Sequence, residues 1–143
     1  MIHVENISRT YDMHGAEVRA LDGVSLHVDP GEFIAITGPS GSGKSTLLNV
    51  LGCLDRPDAG SYVLDGQEVS RLDDEAISTV RNRKIGFIFQ SFHLLPRLTV
   101  LENVMLPLRF TREPKPDVTA RAKELLTRVG LADRMDHRPT QLS

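Results

Sequence analysis

The chain has 143 residues, of which 40% are apolar and 25% are charged, and its formal net charge is −2. This balance is typical of a globular domain that can enclose a hydrophobic core, and it excludes an intrinsically disordered segment. The near-neutral charge gives no electrostatic indication of a nucleic-acid partner.

The first third of the sequence predicts β-structure. Apolar residues recur at near-alternate positions from Ile2 to Ile7, and Val24 to Val28 alternates apolar and polar residues as in a half-buried strand. A proline–glycine turn at residues 29–31 then leads into Phe33 to Thr37. This continuous apolar run predicts a strand that is buried on both faces.

A glycine-rich loop follows this run. Residues 38–45 match the phosphate-loop pattern G-x-x-x-x-G-K-[ST] at every fixed position. Glycines let the backbone curl so that successive N–H groups point at one anion, and the positive end of the following helix adds to the attraction. The pattern alone leaves kinases, GTPases and many ATPases open. The predicted phosphate-binding residues are Gly38, Pro39, Ser40, Gly41, Ser42, Gly43, Lys44, Ser45 and Thr46.

In this interpretation Lys44 carries its positive charge to the terminal phosphates, and the Ser45 hydroxyl binds the Mg²⁺ that accompanies the nucleotide. A helix is predicted from Lys44 to Leu54, because leucines recur at three- and four-residue spacing along it. Cys53, the single cysteine, excludes an intrachain disulfide, favours a reducing compartment and is interpreted as a buried core residue. The predicted apolar stripe consists of Leu47, Leu48, Leu51 and Leu54.

Three further elements are predicted before residue 90. Gly60 to Asp65 is a short strand that ends at a glycine turn. Asp73 to Arg83 has acidic residues in its first turn and basic residues in its last, which favours a helix. Ile85 to Phe89 is apolar and predicts a second buried strand.

The remainder of the sequence indicates helices. Thr99 and Glu102 form a capping box that opens a helix from Val100 to Leu106. Residues 113–117 contain two prolines and are interpreted as a linker, and a helix capped by Asp117 then runs to about Val129. The residues predicted to face inward on this helix are Ala122, Leu125, Leu126 and Val129.

Neither a membrane span nor a histidine-based metal site is predicted. The longest apolar region, Phe92 to Phe110, is interrupted by charged residues and prolines, whereas a span needs about 20 predominantly apolar residues. Met1 to Tyr11 lacks the features of a signal peptide, so a cytoplasmic chain is expected. His93 and His137 have no second ligand at metal-binding spacing and are interpreted as solvated or structural.

Three stretches together strongly resemble ABC transporter ATP-binding subunits: Gly38 to Asn49, Gly86 to Gln90 and Leu98 to Val104. Within that family, Leu51 to Pro57 and Arg81 to Gly86 are similar to the branch that serves macrolide export and lipoprotein release. The resemblance covers essentially all of the chain. It implies that the ligands are ATP and Mg²⁺.

The resemblance also implies an α/β fold. It would comprise a partial P-loop NTPase core and an antiparallel β subdomain within residues 1–90, and the start of an α-helical subdomain within residues 91–143. The implied partners are a membrane-embedded transporter subunit and a second copy of the ATP-binding subunit in a head-to-tail dimer. Such a subunit is peripheral on the inner face of the cell membrane.

Family positions imply further roles for single residues. Tyr11 matches the aromatic residue that stacks on adenine, although a strand-end tyrosine that packs locally is an alternative. Lys44 and Gln90 match the catalytic positions, and Ser45 and Gln90 match the Mg²⁺ ligands. Ser91 to Leu98 matches the surface that receives a helix of the membrane subunit. Four residues there could equally belong to a helical core: Phe92, Leu94, Leu95 and Leu98.

The family's signature motif continues as Gly-Gly-Gln after the residues that match Leu142 and Ser143. The resemblance places the Walker B strand and the switch histidine later still, so this chain alone is expected to be inactive or nearly so. The leading hypothesis is the ATP-binding subunit of an exporter. The alternatives are a truncated nucleotide-binding product without ATPase activity, and a soluble ABC-type ATPase of DNA repair or translation, which Ser91 to Glu102 argues against.

Overall fold

The structure is a computed structural model that describes residues 1–13, 15–91, 93–110 and 118–142, with only the backbone described at 109 and 110. The chain divides into two compact units, Met1–Gly86 and Phe87–Ser143. Across the described ranges, no helix is both long enough and apolar enough to span a membrane.

A four-stranded antiparallel sheet organises the first unit. Its central strand β1 pairs with β2 on one side and with β3 on the other, and β4 pairs with β3 at the edge. The antiparallel β subdomain and its three predicted strand regions are therefore confirmed. The strands are β1 (Ile2–Met13), β2 (Ala16–Val28), β3 (Ala59–Leu64) and β4 (Gln67–Glu68).

One face of this sheet forms the core of the first unit. Val4 of β1 lies opposite Tyr62 of β3, and both side chains are buried. Two helices, α1 (Lys44–Leu51) and α2 (Asp74–Lys84), contribute to the same cluster. The buried cluster is made of Val4, Ile7, Leu21, Val50, Cys53, Tyr62, Leu64, Val69, Ile77 and Val80. The prediction of Cys53 as a core residue is thus confirmed.

Tyr62 connects this core to the end of α1. Its side chain is 1% exposed, and its hydroxyl donates a hydrogen bond of 2.7 Å to the Leu51 carbonyl. We expect Tyr62→Phe to lower the free energy of unfolding by about 1 to 2 kcal/mol, because the carbonyl loses a buried partner. Urea unfolding followed by circular dichroism measures this. Thr79→Val is the control, since it removes an exposed hydroxyl bond to Glu75 and should change stability by less than about 0.5 kcal/mol.

The two helices of the first unit begin where the sequence predicts. Asp73 caps α2, and its carboxylate accepts a hydrogen bond of 2.8 Å from the Ala76 N–H. The predicted end of α1 at Leu54 is wrong, because Cys53 turns left-handed with a φ of 53°. Leu48 and Leu54 of the predicted stripe are exposed, while Val50 takes the buried position.

Two predicted strands are wrong. Phe33 to Thr37 and Ile85 to Phe89 have no strand partner among the described residues. A strand that is buried on both faces needs hydrogen-bonded neighbours along its edges, and without them its apolar side chains stay in solvent. Phe33 is accordingly 93% exposed, and Ile88 is fully exposed.

The second unit is helical. It contains α3 (Val100–Met105) and α4 (Val118–Arg128), with short 3₁₀ turns at Leu106–Phe110, Ala132–Arg134 and Pro139–Gln141. The predicted capping box is confirmed: Thr99 accepts from the Glu102 N–H at 3.2 Å, and Glu102 accepts from the Thr99 N–H at 2.8 Å. The prediction for α4 is correct in part. Ala122 and Leu126 are buried, but Leu125 and Val129 are exposed.

The predicted linker at 113–117, including the Asp117 cap, lies outside the described residues. His137 has a structural contact, because its carbonyl accepts a hydrogen bond of 2.9 Å from the Val100 N–H at the start of α3. His93 is exposed, and its ring lies edge-on to Phe89 with centroids 5.0 Å apart.

Candidate functional site

The glycine-rich loop ends in close contact with strand β2. Gly43, which precedes α1, has a left-handed φ of 84° that a residue with a side chain rarely adopts. A Cβ atom at Gly43 would lie 2.3 Å from the Ala20 carbonyl oxygen. The absence of a side chain at position 43 therefore allows the loop to approach β2 this closely.

The loop is also closed on itself. The Ser42 N–H donates to the Pro39 carbonyl at 3.4 Å. A Cβ atom at Gly38 would come within 2.9 Å of the Ser42 hydroxyl oxygen. Residues 38–42 are exposed, so N–H groups of the loop are accessible to a ligand.

Lys44 brings a positive charge to this loop. Its Nζ donates to the Gly38 carbonyl at 2.9 Å and to the Pro39 carbonyl at 2.6 Å, and it lies 3.4 Å from the Ser42 hydroxyl oxygen. The ammonium group thus lies against the backbone of the residues that the sequence assigns to the phosphates. The role of Lys44 at the terminal phosphates stays a prediction.

The start of α1 adds further donors. The first bond along the helix runs from the Leu47 N–H to the Gly43 carbonyl at 2.8 Å, so the N–H groups of residues 44–46 precede the helical ladder. No acidic residue lies in the first turn of α1. Free N–H groups, an ammonium and the hydroxyls of Ser45 and Thr46 form a donor set that fits a phosphate group.

Tyr11 of β1 is held by two neighbours. Its hydroxyl donates a hydrogen bond of 2.6 Å to Asp55, and the guanidinium carbon of Arg9 lies 4.8 Å from the centre of its ring. One ring face therefore meets a cation at the distance of a cation–π contact. These contacts fix the ring next to the segment that follows α1.

The strand register relates Tyr11 to the loop. Ala20, which Gly43 approaches, lies between Arg19 and Leu21, and these two residues pair with Thr10 and Arg9 of β1. Tyr11 is the next residue along β1. The structure thus brings the tyrosine strand and the loop to the same end of the first unit.

An ionic network behind Tyr11 was not predicted from the sequence. Arg9 forms a 2.9 Å ion pair with Asp55 and a second ion pair with Asp58, and Asp58 also accepts a 2.7 Å hydrogen bond from the Thr10 N–H. Arg9 and Asp55 are 46 residues apart in the sequence. Residues this far apart form no local sequence pattern, so the ion pair could not be predicted. The only indication was that Asp55 and Asp58 lie close together in the sequence after α1.

The network changes the pKa values of its members. Burial alone raises the pKa of Asp55, but the Tyr11 hydroxyl, a backbone N–H and the Arg9 charge more than offset it, so the net pKa is lowered. The pKa of Asp58 is lowered first by its hydrogen bond from the Thr10 N–H. Burial lowers the pKa of Arg9, yet its polar contacts and the two carboxylate charges raise the net value. All three groups are therefore charged at neutral pH.

We expect Asp55→Asn to lower the free energy of unfolding at pH 7 by about 1 to 3 kcal/mol, because a charge-assisted contact is lost. The folded pKa of Asp55 lies below the unfolded value of about 3.9, so the ionised group stabilises the fold above that pH. This stabilisation disappears as the pH falls through the folded pKa. Urea unfolding between about pH 5 and pH 2 should therefore show a shallower decline for the variant.

The control for this prediction is Asp22→Asn, since Asp22 is 71% exposed and pairs with Arg19 at 3.3 Å. Its effect should be below about 1 kcal/mol, the usual limit for a surface ion pair. Equal losses for both variants would contradict the assignment of Asp55 as the partly buried anchor of the network.

The other predicted site residues lie in the second unit. Gln90 and Ser91 are exposed, Leu94 and Leu95 are 39% and 45% exposed, and Phe92 lies outside the described residues. Asn103 organises this segment, because its side chain accepts from the Leu95 N–H at 2.8 Å and donates to carbonyls of the same turn. The role of Asn103 was not predicted from the sequence.

Comparison with known proteins gives consistent matches. The sequence model of the ABC transporter family matches residues 21–143. An uncharacterized ABC transporter ATP-binding protein of Thermotoga maritima is 54% identical over 143 residues, which cover all of this chain and 61% of that protein. A macrolide export ATP-binding/permease protein, MacB, of Syntrophobacter fumaroxidans is 49% identical over 145 aligned residues, and the match covers 20% of it.

A solved structure agrees with the fold. The ATP-binding cassette MJ0796, described as a dimer in a post-hydrolysis state bound to ADP and Pi, is 44% identical with a TM-score of 0.89. The match covers all of this chain and 63% of the cassette. The chain therefore spans about three fifths of the length of the cassette proteins that it matches.

Proposed function

Since this chain belongs to the ABC transporter family, we propose that it is the ATP-binding part of a transporter and that residues 38–46 hold the phosphates of ATP. The observation that carries the proposal is the position of Lys44, whose Nζ lies 2.9 Å from the Gly38 carbonyl and 2.6 Å from that of Pro39. A cation beside a curled backbone at the start of a helix is suited to a polyphosphate. Bound Mg²⁺ would neutralise charge on the phosphate oxygens.

The remaining residues have separate roles in this proposal. Ser45 offers its hydroxyl to Mg²⁺ from the first turn of α1, and Lys44 orients and neutralises the terminal phosphates. Gln90 is assigned to Mg²⁺ and to the catalytic step by the family resemblance. Tyr11 supplies the face of its ring that is not covered by Arg9 to the adenine base.

Titration of the full chain with ATP in the presence of Mg²⁺, measured by calorimetry, tests the proposal. We expect saturable binding that weakens when Mg²⁺ is removed. Tyr11→Ala should lower the affinity while Tyr11→Phe retains it, because stacking needs the ring and not the hydroxyl. Equal affinities for the two variants would assign Tyr11 to local packing only. Absence of saturable binding to the wild type would contradict the proposal.

We also propose that the complete protein couples ATP hydrolysis to export through a membrane-embedded subunit, at the inner face of the membrane. The exposed side chains of Leu94 and Leu95, held by the Asn103 turn, are suited to receive a helix of that subunit. The MacB relative, named an ATP-binding/permease protein, and the dimeric cassette support a membrane partner and a second copy. Co-purification with a membrane subunit, lost on Leu94→Asp with Leu95→Asp, tests the surface.

The alternative is a nucleotide-binding product that does not turn over ATP. Phosphate release by the complete protein distinguishes the two functions, with the Lys44→Ala variant as the blank. Saturable ATP binding without phosphate release would favour the alternative. Phosphate release above the blank would contradict it.

A further inference from the structure

Two histidines face each other on the outer surface of the sheet, opposite its core side. His3 of β1 is paired with His27 of β2 in the strand register. Their Nδ1 atoms lie 3.2 Å apart, and their ring centroids are separated by 5.4 Å. Both side chains are accessible to solvent, with 42% and 49% of their surfaces exposed.

Each histidine ring has a carboxylate next to its Nε2 atom. His3 Nε2 lies 3.0 Å from Glu5, and His27 Nε2 lies 3.1 Å from Asp29. An ionised carboxylate only accepts hydrogen bonds, so both Nε2 atoms carry the proton in these contacts. In the neutral rings the two Nδ1 atoms are then both unprotonated, and their lone pairs point toward the same place.

Two lone pairs at 3.2 Å repel each other unless a proton or a metal cation lies between them. We propose that His3 and His27 bind Zn²⁺ through their Nδ1 atoms at this surface. With Zn–N bonds of 2.0 to 2.1 Å, two ligands in a tetrahedral site are about 3.3 to 3.4 Å apart, which agrees with the observed separation.

The carboxylates of Glu5 and Asp29 also favour metal binding. A histidine that binds a metal commonly donates its other ring N–H to a carboxylate, which fixes the tautomer and increases the basicity of the ligand. Both histidines have this second contact. In the parts of the chain that the structure describes, no group of three His, Cys, Asp or Glu side chains is arranged as metal ligands. The site therefore offers two protein ligands and leaves two positions to water or another donor.

Competition between the full, untagged chain and a chromophoric zinc indicator tests this site. We expect the wild type to bind one Zn²⁺, and His27→Gln to lose that binding because a single imidazole remains. Asp29→Asn keeps both ligands and should weaken the affinity by about 10-fold, as loss of an orienting carboxylate does. His93→Gln removes an exposed histidine of the second unit and is the matched control.

The amino terminus provides the main competing explanation. A metal bound by the terminal amine and His3 would not need His27, and it would have to displace the 2.9 Å ion pair between that amine and Asp65. Binding that survives His27→Gln but not His3→Gln would therefore overturn the proposal. Wild-type affinity no greater than that of the His3→Gln, His27→Gln double variant would also overturn it. Circular dichroism of each variant verifies the sheet.

Discussion

Lys44→Ala is expected to weaken ATP binding by about 10- to 150-fold, which corresponds to the loss of a hydrogen-bonded charge of about 1.5 to 3 kcal/mol. Two effects act in the same direction. The variant removes the only charge that the loop presents to phosphate within residues 38–46, and it removes the Nζ contacts with the Gly38 and Pro39 carbonyls. Calorimetric titration with ATP and Mg²⁺ measures the loss.

Two further variants make this test specific. Lys123→Ala removes an exposed lysine of the second unit and should leave the affinity unchanged. Lys44→Arg keeps the charge but replaces a compact ammonium by a planar fork, so its affinity should lie between those of the wild type and Lys44→Ala. An unchanged affinity in Lys44→Ala would show that ATP binds elsewhere on the chain.

Gly43→Ala is expected to lower the free energy of unfolding by about 2 to 5 kcal/mol, the sum of left-handed backbone strain and overpacking. The added methyl group would meet the Ala20 carbonyl oxygen at 2.3 Å, and this oxygen belongs to the backbone of β2. Either the loop or the strand must move to relieve the contact. Urea unfolding measures the destabilisation, and the ATP titration should show a loss of affinity as well.

The Gly41→Ala variant measures left-handed backbone strain without a steric contact of the added methyl group. Gly41 has a similar φ of 80°, but a Cβ atom there would meet nothing within 4 Å. Its destabilisation should therefore be limited to about 1 to 2 kcal/mol of backbone strain. Equal losses in Gly41→Ala and Gly43→Ala would mean that the close approach to Ala20 has no energetic role.

Much of the fold could be predicted from local signals. The alternation from Val24 to Val28 predicted a half-buried strand, and Thr99 with Glu102 predicted the start of α3, because these features depend on neighbouring residues only. Burial of Cys53 was also predicted correctly. Local chemistry fixes such features, so no knowledge of the rest of the chain was needed.

The incorrect predictions concern features that local sequence does not determine. Phe33 to Thr37 has the composition of a buried strand, but a strand exists only if another strand lies beside it, and composition does not report that neighbour. Leu48 was placed in the apolar stripe by spacing alone, whereas the burial of Val50 shows that the helix faces the core at a different angle. Both errors concern contacts between residues that are distant in the sequence.

The residues of the candidate site also fall into two groups, those that a local pattern indicates and those that depend on contacts between distant residues. The loop was recognised from a contiguous pattern, and its role in phosphate binding stays a prediction. The Arg9–Asp55 pair behind Tyr11 was missed because it joins β1 to the segment after α1. The facing histidines were missed as well, since His3 and His27 become neighbours only through the pairing of β1 with β2.

The shortness of α1 has a thermodynamic consequence. Its eight residues are fewer than the roughly 12 to 15 that an isolated helix needs, so the core and the Tyr62 hydroxyl must hold its far end. A nucleotide bound at its first turn would act on the same folding equilibrium. By mass action, occupancy at 100 times the dissociation constant adds about 2.7 kcal/mol to the free energy of unfolding. The melting temperature would then report nucleotide concentration, and core variants such as Tyr62→Phe would raise the concentration needed to reach a given melting temperature.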